Sequence, residues 1–228
     1  WWYSSICIKE YDLVMDEEVT IIDTNTRNEK IKNFFINNKK TLILGFSIIT
    51  FVIIAYLSIE EINERKKIEL ANNFNSIIIN FETKEKKKTI DQLIKLINKN
   101  DVTYSPLALY FLIDNNLIDN KNEINNLFDE LINETNLDEE IKNLVIYKKA
   151  LFNSDFLTEN DLLKILNPII NSKSIWKSHS LYLMAEYFYS NKQKQKAKEF
   201  FNQILLLPNA NNDIKIETQK RLNRDLGE

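Results

Sequence analysis

From Thr41 to Ile59 the chain runs without a single charged side chain: Thr-Leu-Ile-Leu-Gly-Phe-Ser-Ile-Ile-Thr-Phe-Val-Ile-Ile-Ala-Tyr-Leu-Ser-Ile. At about 1.5 Å per residue such a helix is about 28 Å long, close to the roughly 30 Å hydrocarbon core of a bilayer. A core helix of a small soluble domain keeps a polar face, and this run has none. The pattern therefore predicts one transmembrane helix over 41–59. Beyond it, apolar residues return at helical rather than alternating spacing. The helix is expected to continue through 60–79 on Ile62, Leu70, Phe74, Ile77 and Ile78. Further helices are predicted over 84–98, 105–115, 121–133, 138–153, 158–171, 174–190, 192–206 and 211–226, with turns of Asn, Asp, Ser and Pro. Asp138-Glu139-Glu140 puts negative charge at a helix start, where the dipole favours it. Thr158 is an expected N-cap with Asp161 three residues on.

Composition supports an all-α reading. Only 2 Gly and 3 Pro occur in 228 residues, too few for the turns of a β-sandwich or the phosphate loops of an α/β enzyme. The abundant Asn alternates with apolar residues at helical spacing and is not a low-complexity tract.

Charge sets an expected orientation. Arg27, Lys30, Lys32, Lys39 and Lys40 precede the apolar run; Glu60 and Glu61 follow it, then Arg65, Lys66 and Lys67. Five basic residues against three favour a cytoplasmic N-terminus. The expected organisation is a cytoplasmic segment over 1–40, a signal anchor over 41–59 and a helical domain over 60–228 outside the cytoplasm. A cleaved signal peptide fits less well, because the run exceeds a usual h-region and no A-x-A site follows. Trp1–Val14 precedes Met15-Asp16-Glu17-Glu18, which has the form of a natural start. The expectation is that Trp1–Val14 is an upstream extension; the alternative is a membrane-surface segment, since Trp, Tyr and Ile favour the interface.

Candidate chemistry is sparse. His179 is the sole histidine, so no His pair can complete a metal site, and a serine nucleophile has no other candidate base. The one cysteine, Cys7, provides no disulfide framework. From Glu60 onward 24 Lys and Arg face 26 Asp and Glu, which argues against a nucleic-acid partner. The lysines of 84–88 and 192–198 read as solvated helix faces, the first also within reach of anionic lipid headgroups. No cofactor and no enzymatic activity are expected.

A helix-turn-helix repeat is clearest from Ser178 onward. With Leu181 as the fourth repeat position, Met184 and Ala185 fall at the seventh and eighth, Phe188 at the eleventh, Ala197 at the twentieth and Phe201 at the twenty-fourth. The small residues Ala185 and Ala197 let two helices approach, and Phe188 and Phe201 fill the space around the contact. Pro208 comes one residue before the usual proline. Tyr147 and Ala150 lie 35 residues before Tyr182 and Ala185, which marks a second repeat. The expected fold is thus an α-solenoid of tetratricopeptide-like hairpins. Its first helices are expected to line a groove, placing His179, Tyr182, Glu186 and Tyr189 on a candidate binding face. The bland alternative is that these tyrosines pack against the 211–226 helix.

The layout, together with Met15-Asp16-Glu17-Glu18-Val19, Lys30-Ile31-Lys32-Asn33-Phe34-Phe35, Ser174-Ile175-Trp176-Lys177-Ser178 and the stretch Ala197 to Pro208, resembles the YfgM-like ancillary subunits of the bacterial SecYEG translocon, alphaproteobacterial type. The repeats depart from that pattern in having few alanines. The resemblance implies an inner-membrane protein with a periplasmic domain, and as partners translocon subunits, periplasmic chaperones or emerging client chains. The alternative in the same class is a scaffold for envelope or division-machinery assembly, and in a different class an envelope enzyme.

Overall fold

The computed structural model describes residues 26–81 and 85–227; the proposed start at Met15 and the segment Trp1–Val14 lie outside them. Among the described residues every regular element is a helix: α1 (26–37), α2 (Lys39–Ile79), α3 (Lys86–Ile97), α4 (Tyr104–Asp114), α5 (Lys121–Glu134), α6 (Glu139–Asn153), α7 (Glu159–Ile170), α8 (Lys177–Ser190), α9 (Lys194–Leu206) and α10 (Asn212–Asp225). The chain divides into two compact units, Trp1–Lys67 and Ile68–Glu228.

In the first unit, the apolar part of α2 buries nothing against protein. Phe46 and Phe51 are each 73% exposed. Its hydroxyls are satisfied within the helix, Thr50 Oγ1 donating to the Phe46 carbonyl at 2.9 Å and Ser58 Oγ to that of Ile54 at 2.8 Å. A long helix that is apolar on all sides and satisfies its own polar groups is suited to lipid as solvent. The chain is a membrane-anchored helical protein.

The second unit is a repeat of helical hairpins. The second helix of each hairpin, α3, α5, α7 and α9, begins at Lys86, Lys121, Glu159 and Lys194, steps of 35, 38 and 35 residues. Each buries the same i, i+4, i+7 triad: Thr89, Leu93, Leu96; Ile124, Phe128, Leu131; Leu162, Leu166, Ile169; Ala197, Phe201, Ile204. The same steps connect Ile77, Leu112, Ala150 and Ala185, one buried residue on each first helix. The first helices are therefore the end of α2, then α4, α6 and α8. The three extra residues before the third hairpin are absorbed as an additional turn at the start of α6.

Side-chain size sets how closely the paired helices approach. The equivalent buried positions of the paired helices are Ala185 and Ala197 in the fourth hairpin but Leu112 and Ile124 in the second. Backbone contact is correspondingly extensive between α8 and α9 and sparse between α4 and α5. Two apolar clusters run through the array, one from Ile77 to Val145 and one from Ile146 to Leu226. Adjacent residues Val145 and Ile146 of α6 serve one cluster each.

Several boundaries shift from the expected ones for local reasons. Helix α8 begins at Lys177 rather than 174, because Ser174 Oγ accepts from the Trp176 amide at 3.1 Å and holds a turn there. Helix α9 begins at Lys194 rather than 192, because Lys192 is left-handed (φ 63°) and terminates α8. The Gln193 amide then reaches the Phe188 carbonyl at 2.8 Å, a Schellman closure. Asn116 (φ 48°) ends α4 in the same way, with Leu117 bonded to the Leu112 carbonyl at 2.9 Å. A glycine-poor chain thus uses Asn and Lys where glycine is usual. Thr158 caps α7, its Oγ1 accepting from the Asp161 amide at 3.4 Å.

Candidate protein-binding surface

Helix α8 is enclosed on three sides, and its sequence divides accordingly. Leu181, Met184, Ala185 and Phe188 are buried with Ala197, Phe201 and Ile204 of α9 in one cluster. The Phe188 and Phe200 rings lie 5.2 Å apart. A second face carries Trp176, Ser180, Leu183 and Tyr187, spacings of three and four that stack on one side of a helix. It turns to the preceding hairpin: Tyr187 Oη donates to the Leu157 carbonyl at 3.1 Å, and Trp176 stacks on Tyr147 of α6 with centroids 5.8 Å apart and planes at 21°. Trp176, Leu183 and Tyr187, seven and four residues apart, are the sequence signal of this face, which helical spacing alone does not separate from its neighbours.

The third face holds the candidate residues. Tyr182 is half-buried, its ring edge-on to Phe201 at 5.4 Å. Burial, with Glu186 beside it, pushes its phenol up to about 12. Glu186 receives Arg221 of α10 in a two-pronged pair, Nε donating to Oε1 at 2.6 Å and Nη2 to Oε2. The Arg221 guanidinium, its side chain only 15% exposed, also pairs with Asp225 and lies 4.5 Å from the centre of the Tyr189 ring. Arg224 adds a second donor to Asp225 at 2.9 Å. Glu186 and Arg221 are 35 residues apart, one repeat step, so α10 stands where the first helix of a fifth hairpin would. Glu186 and Tyr189 are thus engaged by the chain's own terminal helix.

His179 lies apart from this network. Its ring is 5.1 Å from Trp176 and 6.0 Å from Tyr147. Burial lowers its pKa, partly offset by the Ile175 backbone. With Ile175, Trp176, Asn209 and Asn211 it lines an open cavity of about 390 Å³. The four candidates are therefore divided between two places, His179 at the aromatic cavity and Tyr182, Glu186 and Tyr189 beside α10.

The repeat register identifies the corresponding face on earlier hairpins. One step back from Tyr182 and Glu186 lie Tyr147 and Leu151; then Leu109 and Ile113; then Phe74 and Ile78. Leu109 is fully buried, Ile78 and Ile113 are half-buried, and Leu151 is 47% exposed. This face is apolar where the α8 face is charged. Tyr147 is related to Tyr182 by sequence spacing alone, whereas Leu109, Ile113, Phe74 and Ile78 are not, because the three-residue insertion before α6 hides the register of the first two hairpins.

Among the described residues no group of three His, Cys, Asp or Glu side chains gathers to hold a metal ion. No family model matches this chain, and neither a curated protein nor a solved structure matches it.

Proposed function

We propose that this chain is a non-enzymatic, membrane-anchored adaptor whose tetratricopeptide-like hairpins bind other proteins close to the bilayer. The observation that carries the reading is the buried triad repeated at 35, 38 and 35 residues, paired with one buried position on each first helix. Stacked hairpins leave an extended face rather than an enclosed pocket, and such a face suits peptide segments. Tyr147, against Trp176 and His179 of the aromatic cavity, and the exposed Leu151 one turn on provide anchoring area of the kind that protein interfaces use.

The basic residues before the span favour an N-terminus in the cytoplasm and a helical domain in the periplasm. The resemblance to YfgM-like subunits adds the SecYEG translocon, periplasmic chaperones and emerging chains as partners. A reporter active only outside the cytoplasm is expected to work when fused after Glu228 and to fail when fused after Lys32; the reverse removes the translocon reading. Purification of the tagged chain in mild detergent, followed by mass spectrometry, is expected to recover translocon subunits, and recovery is expected to fall with Leu151→Glu. Recovery of division or cell-wall proteins alone would replace the translocon role with that of an envelope scaffold.

A further inference from the structure

Helix α1 stands directly before the membrane span, and among the described residues neither its large apolar side chains nor its cations are covered or paired. Ile31, Phe34, Phe35 and Ile36 are all exposed large apolar side chains. Successive residues turn by about 100° around a helix, so Ile31, Phe34 and Phe35 share one stripe while Ile36 falls outside it. Lys30 and Lys32 flank that stripe on its two sides, Asn37 falls beside Lys30, and Glu29, Asn33 and Ile36 lie opposite. The Phe34 and Phe35 rings are 6.0 Å apart and edge-to-face, giving one continuous aromatic edge. Five cations, Arg27, Lys30, Lys32, Lys39 and Lys40, accompany a single acid, Glu29, over 26–40. All five are exposed, and none forms an ion pair among the described residues. Only Asn38 interrupts the helix between α1 and α2, and its Nδ2 donates to the Phe34 carbonyl at 3.0 Å.

We propose that α1 is an interfacial helix that binds a bilayer surface of anionic phospholipid, seating Ile31, Phe34 and Phe35 at the acyl boundary, with its cations Arg27, Lys30 and Lys32 and the adjoining Lys39 and Lys40 of α2 on headgroup phosphates. Three features select lipid over a protein groove. The segment begins at the membrane by connection to the span. Aromatic rings favour the headgroup level. Lysines flanking an apolar stripe can extend to the phosphates while their methylene stems stay against the acyl boundary. The unpaired positive charge supplies the preference for anionic headgroups and makes binding sensitive to salt. This inference does not depend on what the helical domain binds, nor on which leaflet α1 faces. Its consequence is that the anchor has two attachments, one through the bilayer and one along its surface, so that the span is restrained in rotation as well as depth.

The test uses the full-length chain carrying Cys7→Ser, with a nitroxide placed at Asn33→Cys or at Phe35→Cys, in nanodiscs. Incorporation into the discs reports the transmembrane span independently. In discs containing anionic phospholipid, the label at 35 is expected to be several-fold less accessible to a water-soluble nickel chelate than the label at 33. Replacing the anionic lipid by a zwitterionic one, or combining Lys30→Gln with Lys32→Gln, is expected to shrink that difference. Equal chelate access at both sites in anionic discs overturns the proposal. Shielding at 35 that is unchanged by lipid charge and by the lysine substitutions overturns the headgroup assignment.

Discussion

Replacing Ala185 by Leu tests whether the α8–α9 contact is set by its two alanines. Ala185 and Ala197 are both fully buried, with Phe188 and Phe201 filling the surrounding space. A leucine adds three heavy atoms where no solvent-accessible room remains. Were the helices free to separate, burying that side chain would contribute about 1.5–3 kcal/mol of stabilisation. They are not free, because α8 is also held by the preceding hairpin through Tyr187 and by α10 through Glu186. Overpacking then prevails at a cost of about 1–3 kcal/mol. At roughly 2–4 °C per kcal/mol for a domain of this size, the unfolding midpoint should fall by roughly 2–12 °C. The assay is thermal unfolding of the full chain in mild detergent, followed by circular dichroism. Leu112→Ala provides the opposite perturbation at the equivalent position of the second hairpin, where cavity formation should cost about 2–5 kcal/mol. An Ala185→Leu midpoint equal to or above that of the parent would refute the reasoning, since it would mean that hairpin spacing adapts freely to side-chain size.

Arg221→Ala leaves Glu186 and Asp225 without their shared donor and should cost roughly 1–2 kcal/mol, measured as a lowered midpoint that rises again when Glu186→Gln is added; an unchanged midpoint would show that the pair does not hold α10. Lys192→Gly relieves a left-handed residue, a gain of roughly 1–2 kcal/mol offset by about 0.5–1 kcal/mol of glycine chain entropy, so denaturant unfolding should show a small stabilisation, and destabilisation would contradict it. Hydrogen bonds from Arg224 and Arg221 hold the Asp225 carboxyl down from 3.8 to about 2. Its folded pKa lies below its unfolded one, so its stabilisation is present above about pH 4 and is lost as pH falls toward about 2; Arg224→Gln should flatten that part of the stability profile. For His179 the depressed pKa means that the unfolded chain binds the proton more readily, so stability should decline as pH drops through about 6.5, and His179→Gln should remove that decline.

The amino-acid sequence by itself determined the membrane helix and the all-helical class. Both depend on local quantities: an uncharged run of bilayer length, apolar residues at helical spacing, and too little glycine and proline for other folds. Ala185 and Ala197 also leave a local mark, small residues at a fixed spacing, and both are buried in the same cluster. What the sequence left open required distant residues to meet. The buried triads on α3, α5 and α7 use Thr, Ile, Leu and Phe at positions where α9 uses Ala and Phe, so the repeat lies in burial and spacing rather than in residue identity. The insertion before α6 broke the period that a sequence comparison would follow. Tyr182, Glu186 and Tyr189 share a helical face whether or not α10 docks there. Only the folded chain brings Arg221, 35 residues later, between Glu186 and Tyr189, because an ion pair between helices is fixed by how those helices stack and leaves no periodic trace along either one.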